Sequence, residues 1–139
     1  MTGESVLIIE DDGIIAFHLF SILERAGYVP EDPVVPGEDV FDRLSDEPLP
    51  DLVLLDAGNP GRYDSFHKTL GVLSQCDVPV LILTTFTDFC ESEQVMVSRH
   101  AEFLTKPFLD NELLLVVERS LHPAPRDIGT LHECRGSGA

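Results

Sequence analysis

The residues from 51 to 61 constrain the fold more than any other stretch of the chain. Four large aliphatic residues run without interruption into Asp56, and Ala-Gly-Asn-Pro-Gly follows directly. An all-apolar run of this length favours a strand buried on both faces, as in a parallel sheet, over a strand with one wet face. The turn-forming residues after it end the strand. Asp56 is therefore predicted at the carboxyl end of a central strand, where open α/β sheets bind ligands.

The composition limits the class of protein. With 139 residues the chain has the length of a single domain. Its 9 basic and 25 acidic residues give a formal net charge of −16, which argues against nucleic-acid binding because phosphate contacts need clustered Lys and Arg. Three cysteines without metal or disulfide spacing indicate a reducing, cytoplasmic compartment. No stretch has the length of a membrane span or the pattern of a signal peptide.

Strand-like and helix-like patterns alternate five times along the chain. Strands are predicted at 6–9, 52–55, 78–83 and 101–104, with an edge strand within the proline-rich segment 28–36. Helices are predicted at about 14–26, 37–44, 63–75, 88–98 and 109–121. This alternation predicts an α/β fold, a single doubly wound domain over residues 1–121 with helices on both faces of a five-stranded parallel sheet. Residues 122–139 lack periodicity and are predicted to be a flexible tail or the start of a linker.

Polar residues follow four of the predicted strands. Those suited to binding a metal ion and a phosphoryl group are, in chain order, Asp11 and Asp12 (with Glu10 just before them), Asp56, Thr84 and Lys106. Parallel strands present their carboxyl ends at one edge of a sheet, so these side chains are expected to converge. Clustered carboxylates repel one another unless a cation compensates, and hard divalent ions prefer oxygen ligands. A carboxylate beside Mg²⁺ can form an aspartyl phosphate, which a lysine and a hydroxyl would stabilise.

With these residues in this order, the chain resembles the receiver domain of bacterial two-component response regulators over about residues 5–121. The matching pieces are Glu10-Asp11-Asp12, Leu54-Leu55-Asp56 with Pro60-Gly61, Pro79 to Thr84, and Lys106-Pro107-Phe108. The resemblance implies a chemotaxis-protein-like (βα)5 fold with strand order 2-1-3-4-5. It also implies a signalling switch, phosphorylated by a histidine kinase or phosphotransfer protein with Mg²⁺, rather than a turnover enzyme.

The resemblance implies a role for each matching residue around the predicted phosphate. Asp56 would be the phosphoacceptor. Asp11 and Asp12 would hold Mg²⁺ together with Asp56 and the backbone carbonyl of Gly58. Thr84 and Lys106 would bind the phosphoryl group.

Phe103 falls where the family places its aromatic switch residue. Phosphorylation would then reshape the face made by the predicted helix at 88–98, the strand at 101–104 and the helix at 109–121. That face would bind a downstream protein effector, and neither nucleic acid nor a membrane is an expected partner. The protein is expected to be a monomer or a weak homodimer.

Each of these residues also has a plainer interpretation. Asp11 and Asp12 could be a helix N-cap pair, because Asp is favoured there and complements the helix dipole. Lys106 could be a solvated loop lysine, although X-Pro makes a cis Lys106–Pro107 bond plausible. Thr84 could simply end a strand, and Phe103 could be an ordinary core residue.

Two alternative functions follow from the same residues. A pseudo-receiver would bind partners without taking phosphate, and Asn59 and Thr85 depart from the family pattern in that direction. A metal-dependent phosphatase with an Asp nucleophile would commonly need a second acid two residues after it. That position is Gly58, which disfavours the phosphatase.

We predict slow autodephosphorylation of Asp56. In the family, the positions held here by Gly58 and Phe86 tune this rate, and neither side chain can position an attacking water. Thr85 is larger than the usual residue there and should narrow access to the phosphoryl group. Phosphoryl loss followed over time after acetyl phosphate labelling tests this expectation, and a half-life of seconds would contradict it.

Overall fold

The structure is a computed structural model that describes residues 3–56, 63–84 and 101–123. Its centre is a five-stranded, all-parallel sheet in the order β2-β1-β3-β4-β5. The strands are β1 (Ser5–Ile9), β2 (Val29–Pro30), β3 (Leu52–Asp56), β4 (Val80–Thr84) and β5 (Ala101–Thr105). This architecture confirms the predicted α/β class and strand order. The predicted helix at 88–98 and the segment after residue 123 lie outside the described residues.

Four described helices cover the two faces of the sheet. They are α1 (Gly13–Arg25), α2 (Glu38–Leu44), α3 (Tyr63–Leu73) and α4 (Asp110–Leu121). Buried residues of α2 and α3 pack on one face, and buried residues of α1 and α4 pack on the other. The helix α1 ends before Gly27, whose φ of 99° is the left-handed conformation expected of a helix stop. None of the described helices is long and apolar enough to cross a membrane.

The central strands are buried on both faces, as their apolar runs predicted. In β3, Val53 and Leu55 contribute to the α2–α3 side of the core, while Leu52 and Leu54 contribute to the α1–α4 side. All four side chains are 0% exposed. Burial of this kind supplies the main favourable free energy of folding. It also fixes the position of Asp56, because a one-residue slip of β3 would exchange the two sets of side chains.

The second strand is short and lies at the sheet edge. It comprises Val29–Pro30, pairs with Ser5 and Val6, and is followed by a single further bridge from Val34 to Ile9. Prolines cannot donate a backbone hydrogen bond to a ladder, so a segment with Pro30, Pro33 and Pro36 is restricted to such an edge. The predicted irregular edge strand is confirmed.

The buried aliphatic run predicts a large cost for shortening one of its side chains. We expect Leu54→Ala to lower the free energy of unfolding by about 3 kcal/mol, because a buried leucine leaves both lost burial and a cavity. Urea unfolding followed by circular dichroism measures this change. The matched control is Leu115→Ala on the exposed side of α4, for which we expect a change within about 0.5 kcal/mol. Equal losses in the two variants would contradict the described core.

Candidate functional site

The carboxyl ends of the parallel strands bring the predicted polar residues to one edge of the sheet. Asp56 is the last residue of β3, and Thr84 is the last residue of β4. Lys106 directly follows β5, and its backbone N–H donates to the Thr84 carbonyl at 2.9 Å. The Lys106–Pro107 bond is cis, as the sequence suggested. The three acids at 10–12 follow β1 at the same edge.

A short ion pair in this group joins Asp56 to Lys106. The lysine Nζ lies 2.7 Å from Asp56 Oδ1. The aspartate side chain is 1% exposed, while the lysine side chain is 25% exposed and so keeps contact with solvent. A carboxylate taken out of water needs a compensating charge, and the ammonium supplies it through a charge-assisted hydrogen bond. The pair gives Asp56 a cation beside one of its two carboxylate oxygens.

Glu10 also lies at this site, although no role was predicted for it from the sequence. It is buried, and burial raises its pKa to about 8, with further increases from hydrogen bonding and charge at Asp56 and from hydrogen bonding to Asp11. A hydrogen bond from the Asp12 backbone N–H, at 2.7 Å, acts in the opposite direction. Glu10 therefore belongs to one carboxyl cluster with Asp11 and Asp56. The available signal was that the apolar run ends at Ile9, which makes Glu10 the first acid beyond the strand.

Asp12 is placed at the start of α1. Its Oδ1 accepts hydrogen bonds from the backbone N–H groups of Ile14 and Ile15, at 2.9 and 3.2 Å. This is the N-cap interaction, which satisfies donors that have no partner within the helix. The alternative role given to Asp12 from the sequence, that of a helix N-cap, is thus observed for its Oδ1 oxygen.

Thr84 and Phe103 lie on the same face of the sheet. Ile82 pairs with Phe103 and Thr84 pairs with Thr105 in the β4–β5 ladder, so alternation places all four side chains on one side. Thr84 is buried, and Phe103 is partly buried against the α2–α3 side of the core. Gly58, Asn59, Thr85 and Phe86 lie outside the described residues.

The oxygen donors at this edge suit a hard divalent ion. Within residues 3–56, 63–84 and 101–123, no three Asp, Glu, His or Cys side chains are arranged around a common metal position. Mg²⁺ needs only one or two carboxylates, because it keeps several waters and also takes phosphate oxygens. Burial, and after it the neighbouring Asp56 and Asp11 carboxyl groups, raise the pKa of Glu10, and a divalent cation would relieve the repulsion among these acids. The residues present therefore fit Mg²⁺.

Comparison with known proteins identifies the family. Residues 6–118 match the response regulator receiver domain, and the chain belongs to that family. It is 30% identical over 118 residues to the protein Rrf1 of Nitratidesulfovibrio vulgaris, covering 84% of this chain and 81% of Rrf1. It is 27% identical over 134 residues to the transcriptional regulatory protein PdtaR of Mycobacterium tuberculosis, covering 92% of this chain but only 64% of PdtaR.

A solved structure agrees with this assignment. A response regulator receiver protein from Burkholderia phymatum superposes with a TM-score of 0.70 at 26% identity. The match covers 89% of this chain and 99% of that one. Members of the family are signalling switches rather than turnover enzymes, and they work with histidine kinases and effector domains.

The Asp56–Lys106 pair predicts that the lysine stabilises the fold when no metal is present. We expect Lys106→Met to lower the free energy of unfolding by about 1–3 kcal/mol, because it leaves a desolvated carboxylate beside other acids without its cation. Urea unfolding at neutral pH with a chelator measures this loss. Lys68→Met removes an exposed lysine of α3 and serves as the control. A loss no greater than in the control would contradict a stabilising role for the pair.

Proposed function

We propose that this protein is the phosphoacceptor switch of a two-component phosphorelay, with Asp56 as the residue that is phosphorylated. The observation that carries the proposal is the buried Asp56 carboxylate, held 2.7 Å from Lys106 at the sheet edge where Glu10 and Asp11 also lie. Membership of the receiver domain family supports a histidine kinase or a histidine phosphotransfer protein as the phosphodonor.

The proposed transfer is a displacement at phosphorus. An Asp56 carboxylate oxygen forms the new O–P bond while the P–N bond to the donor histidine breaks, leaving a neutral imidazole after proton exchange with solvent. Charge on the transferred group is spread over its three other oxygens, and catalysis depends on positioning and charge compensation. The Lys106 ammonium is already beside Asp56 and can move to those oxygens. Bound Mg²⁺ would supply the remaining positive charge.

We propose Glu10, Asp11 and Asp56 as the acids that would hold Mg²⁺, one or two of them directly and the rest through its waters. Their carboxyl groups belong to one cluster, whereas Asp12 uses Oδ1 to cap α1. The sequence predicted Asp12 in this role; we propose Glu10 in its place and keep the backbone carbonyl of Gly58 as a predicted ligand. Glu10 joins this set because burial and its acidic neighbours make its carboxyl group the one whose charge is most in need of compensation.

The proposed response to phosphorylation runs through β4 and β5. A phosphoryl group on Asp56 would draw the Thr84 hydroxyl towards it. Because Thr84 and Phe103 share a face of the sheet, the space left by Thr84 would allow Phe103 to bury more of its ring. A local change in charge would in this way reshape the surface that includes β5 and α4, where a protein effector would bind.

An exposed apolar patch beside the site supports docking of a protein donor. Ile14 and Phe17 are 83% and 70% exposed and lie one turn apart on α1. Leu109 is 65% exposed and directly precedes α4. The next residue, Asp110, has its carboxylate 3.8 Å from His18 of α1, which brings Leu109 close to the α1 residues. Large apolar side chains exposed together mark interaction surfaces. We place the donor-binding surface on these three residues.

Labelling with acetyl phosphate tests the proposal directly. We expect intact mass after incubation with acetyl phosphate and Mg²⁺ to show a gain of one phosphoryl group in the native protein and none in Asp56→Asn, because the amide is not a nucleophile. No gain in the native protein would instead favour the phosphate-independent pseudo-receiver. A gain in both proteins would place the phosphoryl group on another residue.

A second prediction separates Glu10 from Asp12 as metal ligands. For Glu10→Gln, we expect the Mg²⁺ concentration that gives half-maximal labelling to rise about tenfold, as for the loss of one charge-assisted contact. Asp12→Asn should leave it nearly unchanged, since asparagine also caps helices well. The measurement is the labelling rate by intact mass across a magnesium series. A larger effect in Asp12→Asn than in Glu10→Gln would reverse the two assignments.

A further inference from the structure

The C-terminal end of α4 is tied to the amino end of the sheet by two side-chain contacts. The Tyr28 hydroxyl donates to Glu118 Oε1 at 2.9 Å, and His122 Nε2 lies 2.7 Å from Glu4 Oε2. In addition, the His122 backbone N–H donates to the Glu118 carbonyl at 2.8 Å. We call Glu4, Tyr28, Glu118 and His122 the clasp. It lies at the opposite edge of the sheet from Asp56.

Two of the four clasp residues, Tyr28 and Glu4, are shielded from solvent; the Glu4 side chain is 22% exposed, whereas the His122 side chain is 52% exposed and Glu118 is also exposed. Tyr28 is 6% exposed. Burial, the hydrogen bond to Glu118 and the charges of Glu118 and Glu4 raise the pKa of Tyr28 to about 12. The second Glu4 oxygen, Oε1, is buried and meets no donor among the residues that the structure describes. Moving His122 away would therefore cost Glu4 its described side-chain partner.

The N-terminal end of α4 is held differently. Its residues from 109 to 112 are exposed, and the first buried side chain of the helix is Leu113. The ion pairs that reach this end from α1 run from His18 and Arg25 to Asp110, each at 3.8 Å, and all three side chains are more than half exposed. Exposed pairs of this length contribute little. One end of α4 is thus anchored more firmly than the other.

We propose that the clasp is a fixed pivot for α4. When Asp56 is phosphorylated, the end of α4 that follows Lys106, Pro107 and Phe108 moves, while the last turn stays on β1 and Tyr28. This inference rests on the proposed function, because phosphorylation of Asp56 supplies the movement. It specifies how α4 would move in the proposed switch: the displacement of the helix is largest at its N-terminal end, beside the site, and smallest at His122.

The first experiment tests the clasp without phosphorylation. Amide hydrogen exchange is measured by NMR in the unmodified protein and in the variants Glu4→Gln and Tyr28→Phe. We expect each variant to exchange about tenfold faster at residues 119–122, as for the loss of one contact to a charged group, with no change at residues 113–115. The control is Asp42→Asn, which removes one exposed negative charge from α2. Variants that exchange at residues 119–122 like the control would overturn the clasp.

The second experiment tests the pivot in the phosphorylated protein. With acetyl phosphate and Mg²⁺, we expect amide shift changes to be large at residues 109–114 and small at 118–122, and to spread into 118–122 in Glu4→Gln. Changes of equal size at both ends of the native helix would overturn the pivot but leave the proposed function intact. Absence of a phosphoryl group by intact mass would overturn both, and the exchange data would still decide whether the clasp exists.

Discussion

The structure depends on one constraint, which is that a buried carboxylate must have its charge compensated. The parallel ladders of β1, β3 and β4 place Asp56 at the end of a strand that is buried on both faces, where water cannot solvate it. The Lys106 ammonium provides compensation for Asp56, while burial and the neighbouring Asp56 and Asp11 carboxyl groups raise the pKa of Glu10. Such a site favours the binding of a further positive charge, and the proposed phosphoryl group would add negative charge to it. Desolvation of Asp56 lowers the stability of the fold, and it also makes the site sensitive to any added charge.

Much of the fold could be predicted because its signals are local. Apolar runs of four residues identify β1 and β3, prolines restrict β2 to an edge, and Gly27 ends α1. The convergence of Asp56, Thr84 and Lys106 follows from the geometry of parallel strands. The residues that carry the family resemblance lie at these strand ends, which is why the sequence led so directly to a receiver domain.

Other features of the site and the fold could not be predicted, because they depend on the exact ends of the strands and helices or on contacts between residues far apart in the sequence. Glu10 and Asp12 are two residues apart and chemically alike, and only the exact end of β1 and start of α1 assign one to the carboxyl cluster and the other to the helix cap. The contact between Glu4 and His122 joins residues separated by 118 positions. It depends on the length of α4 and on the packing of its last turn, which no local pattern encodes.

The short proline-rich edge strand has a consequence for assembly. An unpaired sheet edge is normally a template on which another chain can add a strand, and long, regular edges promote fibrils. Here β2 has two residues, and one of them, Pro30, has no N–H to donate. Strand-to-strand growth is blocked at that side of the molecule. The fold can thus expose helices and loops for recognition without offering this edge as a seed for aggregation.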